Sequence, residues 1–291
     1  MVVENYTTKS TVQPWPGDTA VIEVCDTHFH VFGAPGQYPM VATRSYDPPA
    51  ASLSDYRRIF DPLGVRRMVL IQPSCYGTDN RCMLEALATL NGAGRAIVAI
   101  SPETTDKELN AMHRAGARGI RHNLAPAAGS TVPKERLLEV AARLRQLNWV
   151  LQTFVPPGRL PEVADDLLAT GLDVVIDHFG TLDPALGLDQ PTLITLGRLL
   201  ESGRCWVKLS APFRISKYKP PYLEMSPYVK ALMEMRGDRM VWGSDWPYIH
   251  HIDKVGQAYD PLQLLKHSIT DQAQLKAVLA DNPKKLFDFR D

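Results

Sequence analysis

What most constrains this chain is an alternation of two apolar periodicities. Eight strand-like apolar runs fall at residues 21–30, 67–72, 96–100, 117–124, 149–155, 172–177, 205–209 and 240–242. Between them apolar residues recur at helical spacing. That spacing predicts helices at about 80–91, 106–115, 134–147, 160–170, 191–202 and 226–236, with an earlier one starting at Leu53 behind a Ser52 cap. Continuous apolar strands separated by helices imply a parallel sheet covered on its outer face. Eight such units within 291 residues fit the count and size of a (β/α)8 barrel, the TIM barrel. A doubly wound open sheet is the alternative, but no run leads into the GxGxxG turn that its dinucleotide-binding form uses. Residues 1–20, with Pro14, Pro16 and Gly17, read as an irregular leader, and 21–291 as one distorted barrel domain. Residues 257–289 read as closing helices that end in an aromatic plug, Phe287 and Phe289.

In such a barrel the chemistry sits at the C-terminal ends of the strands, and the reactive side chains of this sequence gather there. His28 and His30 end the first strand, Ser74 follows the second, and Arg121 and Asn123 share a parity on the fourth. Asp177 and His178 end the sixth, Ser210 and Arg214 follow the seventh, and Asp245 ends the eighth. Alternation along a strand is expected to turn Asp26, His28 and His30 to one face. A same-face histidine pair can ligate a metal or polarise a carbonyl; the competing reading is two core histidines with satisfied ring nitrogens. For Asp245 the competing reading is a helix N-cap. The loop at 33–52, which carries Arg44 and Tyr46, is long for a connection, a length that usually signals function.

Bulk composition excludes other roles. Thirty-two basic residues balance 32 acidic ones, so nothing argues for a nucleic-acid or membrane-surface partner. Four scattered cysteines without a CxxC pair suggest a reducing, cytoplasmic setting. No run is long enough to span a membrane, and a homo-oligomer is left open.

Four segments carry a resemblance. They are Asp26-Thr27-His28-Phe29-His30-Val31-Phe32-Gly33, Gln72-Pro73-Ser74-Cys75-Tyr76-Gly77-Thr78-Asp79-Asn80, Val175-Ile176-Asp177-His178-Phe179-Gly180 and Trp242-Gly243-Ser244-Asp245-Trp246-Pro247. In this order they resemble the amidohydrolase superfamily. Within it they are most similar to the amidohydrolase 2 branch, which holds 2-pyrone-4,6-dicarboxylate lactonase and related lactone hydrolases and isomerases. The resemblance implies hydrolysis of a cyclic ester, with Asp245 taking a proton from water and His28, His30 and His178 polarising the carbonyl. It also implies a carboxylated substrate gripped by Arg121 and Arg214, with Tyr46 and Ser74 supplying hydroxyls and Asn123 beside them.

The sequence departs from the superfamily pattern in ways that bear on metal and substrate. The fourth strand ends Arg121-His122-Asn123 without a bridging lysine, and Phe154 stands where the fifth strand would carry a histidine. A binuclear centre is therefore not expected and no metal is required; a single divalent ion such as zinc could be held by His28, His30 and Asp245, with His178 as a further ligand. A further arginine of the dicarboxylate enzymes is replaced by the neutral stretch 125–129, which points to a different lactone, with one carboxylate or a bulkier apolar portion. Lys208 is read as facing away from Ser210, toward the helices or a rim ion pair. His250 and His251 are read as solvent-facing loop residues, and the cysteines as ordinary buried thiols. A lactone isomerase on the same residues is the second functional reading. A metal-dependent decarboxylase and a non-catalytic binding barrel follow.

Overall fold

The computed structural model describes residues 22–125, 131–256 and 259–290. The expected leader, 1–20, and residues 126–129 of the neutral stretch lie outside them. Eight parallel strands follow one another in chain order: β1 (Val24–Phe29), β2 (Val65–Ile71), β3 (Gly94–Val98), β4 (Ala117–Asn123), β5 (Val150–Phe154), β6 (Val174–Ile176), β7 (Cys205–Ser210) and β8 (Met240–Gly243). Between successive strands run α1 (Leu53–Phe60), α2 (Arg81–Ala88), α3 (Asp106–Ala115), α4 (Lys134–Arg145), α5 (Leu160–Ala169), α6 (Pro191–Glu201) and α7 (Ser226–Arg236). The expected (β/α)8 barrel is the architecture found.

Local chemistry sets the helix boundaries. Ser52 and Asp55 form a reciprocal capping box at the start of α1, as do Thr105 and Glu108 at α3. Gly116 stops α3 in a left-handed conformation, φ +111°, which costs glycine nothing. A large apolar layer fills the space between strands and helices. A second, smaller one fills the barrel itself: Cys25, Val69, Ile71, Ile97, Val150, Val175, Trp206 and Val241.

Phe287, Phe289 and Leu286 join that inner cluster from below, so the expected aromatic plug is found. The segment reaches the barrel floor through two short helices, α8 (Gln263–Ser268) and α9 (Gln272–Lys276), a π-helical turn at Ala277–Asp281, and α10 (Asn282–Leu286). Arg95 fastens it. Its guanidinium donates to the carbonyls of Phe287 and Asp288 and lies 4.4 Å over the Phe289 ring.

The two edges of the sheet meet at the top, where the amide of Asp245 donates to His28 O (2.7 Å) and that of His30 to Trp246 O (2.9 Å). Gly243 makes this approach possible, because a Cβ there would stand 2.6 Å from His28 Cβ. Among the described residues no helix is long and apolar enough to cross a membrane.

Candidate active site

β1 does not keep strict alternation. Its pairing with β2 shifts register between Asp26 and Phe29, and the bulge divides the residues expected to share a face. His28 and His30 turn into the barrel mouth. Asp26 turns away under α1, where it accepts from the Tyr56 hydroxyl (2.8 Å) and from the amides of His28 and Ser244 (2.9 Å each). Burial raises its pKa to about 6. Asp26 therefore braces the strand from behind.

At the mouth three imidazoles converge on one oxygen. Asp245 Oδ1 lies 3.5 Å from His28 Nε2, 3.7 Å from His30 Nε2 and 3.9 Å from His178 Nε2. Asp245 is 1% exposed, and its other oxygen accepts from Arg214 Nε at 2.7 Å. None of the three imidazole contacts is a hydrogen bond: Asp245 Oδ1 and His28 Nε2 are both buried with no partner. This is a gap in the hydrogen bonding, one that a reacting oxygen can close.

The backbone is bent to make this arrangement, because Asp245 (φ +61°) and His178 (φ +52°) both adopt left-handed conformations that cost a side-chain-bearing residue energy. The Asp245 side chain makes no cap, which removes the N-cap reading. β6 stops at Ile176 because the chain turns into a tight helical turn at His178–Thr181.

Electrostatics keep the imidazoles neutral. Burial depresses His28 and His178 well below the ordinary range, with Lys208 adding to His28 and His28 itself to His178. Burial and then Arg121 bring His30 to about 3. Asp245 is raised by burial, and Arg214 works against the rise. His30 Nδ1 is hydrogen-bonded to Ile71 O (2.8 Å) and His178 Nδ1 to Ser210 Oγ (2.9 Å), so both rings are fixed from behind.

Lys208 corrects the expectation made for it. Residues 208 and 210 are two apart on β7 and share a face, so Lys208 points into the barrel and is fully buried. Its Nζ lies 2.7 Å from Thr27 O, 2.7 Å from Gln152 Oε1, 3.2 Å from His28 Nδ1 and 3.6 Å from Asp177 Oδ1. Gln152 Nε2 in turn donates to Asp177 Oδ2 at 3.2 Å. Burial lowers the lysine to about 8, with Asp177 as the main force holding it up. Sequence reasoning passed over Gln152, turned Lys208 the wrong way, and placed Asp177 at its strand end without finding these partners. The available signal was a glutamine and a lysine, each inside an otherwise apolar strand at the parity of a site residue.

Three of the expected substrate-binding residues form one wall, while Arg214 stands apart on Asp245. Arg121, Asn123 and Ser74 line a cavity of about 240 Å³ with Val41, Thr43 and Gln72. Arg121 donates to Gln72 O at 2.8 Å, and its Nε is buried without a partner. Asn123 Oδ1 accepts from the Ala125 amide, so that oxygen holds the loop. Tyr46 is half-buried, and burial lifts its hydroxyl to about 12. Its ring meets His250 edge-on at 5.4 Å. His250 is exposed as expected, whereas His251 is half-buried against Phe213, 5.4 Å between ring centres, and held down to about 4. Phe154 closes the β5 side with its ring 6.0 Å from His178.

Among the described residues one group offers metal-ligand atoms close together: His28, His178 and Asp245, within 4.8 Å of one another. His178 takes the place expected for His30. Two imidazoles and a carboxylate are the right kind and number of donors for one ion. Their surroundings are cationic, with Arg214 on the carboxylate and Lys208 behind His28.

A parallel barrel with a buried carboxylate and three neutral imidazoles at its C-terminal mouth defines an enzyme of hydrolytic type. The Amidohydrolase pattern (Amidohydro_2) matches residues 25–289, and the chain belongs to that family. A 4-sulfomuconolactone hydrolase of Hydrogenophaga intermedia is 34% identical over 265 residues, spanning 90% of this chain and 88% of the relative. A 2-pyrone-4,6-dicarboxylate hydrolase of Comamonas testosteroni is 31% identical over 271 residues, 90% and 89% of the two chains. A D-galactarolactone isomerase of Agrobacterium fabrum is 27% identical over 268 residues, 90% of each.

Proposed function

We propose that this protein opens the cyclic ester of a small carboxylated lactone by adding water. The observation that carries the reading is the gap between Asp245 Oδ1 and three imidazole Nε2 atoms, each within 3.9 Å. A water there meets a carboxylate whose basicity burial has raised. Its oxygen attacks the lactone carbonyl carbon while Asp245 Oδ1 takes a proton. His28, His30 and His178 face the carbonyl oxygen and stabilise the charge that forms on it. Collapse breaks the ring C–O bond, and the Asp245 acid returns its proton to the departing oxygen, leaving a hydroxyl and a new carboxylic acid that ionises by releasing water's second proton to solvent. The hydrolase relatives act on lactones by name, which supports the reaction class.

Arg121 and Arg214 are the cations for the substrate's own anion. Arg214 commits Nε to Asp245, which leaves its terminal nitrogens for a carboxylate. Two guanidiniums, one of them shared with the base, suit one carboxylate better than two. The reading requires no metal. An ion on His28, His178 and Asp245 would supply Lewis-acid polarisation of the carbonyl, but three cationic side chains close by (Lys208, Arg214, Arg121) oppose a further positive charge. The free, buried Cys25, Cys75, Cys82 and Cys205 are compatible with a cytoplasmic setting.

The test is a lactone panel read by proton release and product mass, on protein of measured metal content with and without chelator. A gain of one water, unaffected by chelator, is expected, with a monocarboxylated lactone turned over more efficiently than the pyrone dicarboxylate. Products of unchanged mass would instead establish isomerisation, the second reading, which the isomerase relative favours. Arg121→Met should raise KM for the charged lactone by about ten- to a hundred-fold, the cost of one charge-assisted pair, and should barely affect an uncharged analogue.

A further inference from the structure

Lys208 lies one layer below the reacting space, and three potential acceptors surround its Nζ: Thr27 O, Gln152 Oε1 and His28 Nδ1, at 2.7, 2.7 and 3.2 Å. An ammonium has three N–H donors and no lone pair. With Asp177 Oδ1 at 3.6 Å as its counter-ion, the group has one N–H for each acceptor. The ring nitrogen it meets must therefore present a lone pair. A neutral imidazole carries a single proton, and here that proton falls on Nε2.

Asp177 pulls the other way. Its Oδ1 lies 3.2 Å from the same His28 Nδ1, and a carboxylate there favours Nδ1–H. Orientation decides between them, because Asp177 Oδ1 has no hydrogen-bond partner while Lys208 is placed to donate. Nε2–H then points into the gap, 3.5 Å from Asp245 Oδ1, with no bond to satisfy it until an oxygen enters. A ring held this way is a donor, and its Nε2 has no lone pair for a metal ion.

We propose that Lys208 is a positioning residue that fixes His28 as the Nε2–H tautomer. His28 thereby becomes a hydrogen-bond donor to the carbonyl oxygen and an unavailable metal ligand. The catalytic half of the proposal rests on the lactone reading above; the tautomer and the metal binding do not.

The experiment is ¹⁵N NMR of protein labelled in the histidine rings, with the His28 signals assigned by their loss in His28→Gln. In the wild type Nε2 should give the shift of a protonated ring nitrogen and Nδ1 that of a bare one. In Lys208→Met, Asp177 becomes the stronger partner and the assignment should invert. Zinc affinity measured by equilibrium dialysis should rise at least tenfold. With a turned-over lactone, kcat should fall by ~10²-fold, as when one oxyanion donor is lost, while KM changes by only a few-fold. A wild-type ring protonated on Nδ1 overturns the proposal without any variant, which covers the case in which Lys208→Met does not fold. An Nε2–H ring that persists in Lys208→Met, or zinc affinity that does not rise, overturns it as well. If no lactone is turned over, the lactone reading fails on its own and the NMR and zinc results still decide the role of Lys208.

Discussion

Two residues along the same strand separate the apolar floor of this barrel from its charged upper layer. On β5 the step is from Val150 to Gln152, on β7 from Trp206 to Lys208, and at the end of β6 from Val175 to Asp177. The floor is sealed from beneath by Phe287 and Phe289, so the buried ions above it are not reached by water from that side. The upper layer is a hydrogen-bonded network, and two of its unpartnered atoms, Asp245 Oδ1 and His28 Nε2, face each other at the reacting gap. The contrast teaches that stability and chemistry occupy adjacent shelves of one core. A change in one shelf should register mainly in its own property.

The largest expected effect breaks the floor. Phe287 is fully buried in the inner cluster. Phe287→Ala should cost about 3–5 kcal/mol of unfolding free energy through lost burial and a cavity, measured by denaturant titration. The kcat/KM of the folded fraction should stay within about twofold of wild type. A loss of activity that tracks the loss of stability would mean the shelves are coupled, and the comparison would fail.

The next effect breaks the upper layer alone. Asp245→Asn keeps the shape and removes the proton acceptor, so kcat should fall ~10²-fold or more. Its Tm should not fall, because the fold already disfavours this buried charge. In the wild type, kcat should rise with pH through the ionisation of Asp245. Burial places that acid limb above the ordinary carboxylate value of 3.8. An Asn variant that keeps most of its turnover would remove Asp245 from the mechanism.

The sequence makes these two shelves legible to different depths. The barrel follows from periodicity, because each apolar run and each helical spacing is a local property. The convergence of His28, His178 and Asp245 follows from the rule that strand ends share one rim. Asp26 could not be placed that way, since the bulge that turns it under α1 depends on the pairing of β1 with β2 and leaves no mark in the local pattern. Lys208 is harder still. Its partners His28 and Gln152 lie 180 and 56 residues away, and a lysine in an apolar strand announces neither a counter-ion nor an acceptor. The exchange of His178 for His30 in the donor group depends on ring placement, which spacing does not encode.

The smallest effect sharpens the comparison by titrating a buried group that belongs to neither shelf. His122 alternates with Arg121 on β4, so its ring lies on the helix side, buried and held down to about 4 by that burial. The unfolded chain takes up this proton near the ordinary value of 6.5, and the folded chain does so only near 4. Between those values the unfolded state holds more protons, so stability falls as pH falls, by up to about 1.4 kcal/mol per pH unit. The site histidines contribute in the same sense, since burial depresses them further. Asp26 works in the opposite sense, because a carboxyl raised to about 6 favours the folded state as pH drops toward 3.8. Both contributions persist in a His122→Gln variant and cancel in the comparison with wild type. Denaturant unfolding at pH 6.5 and pH 5 should therefore show the variant losing roughly 1.5 kcal/mol less than wild type over that interval, with kcat unchanged. Equal losses would mean that the folded chain protonates His122 readily, and that acid sensitivity belongs to the catalytic layer alone.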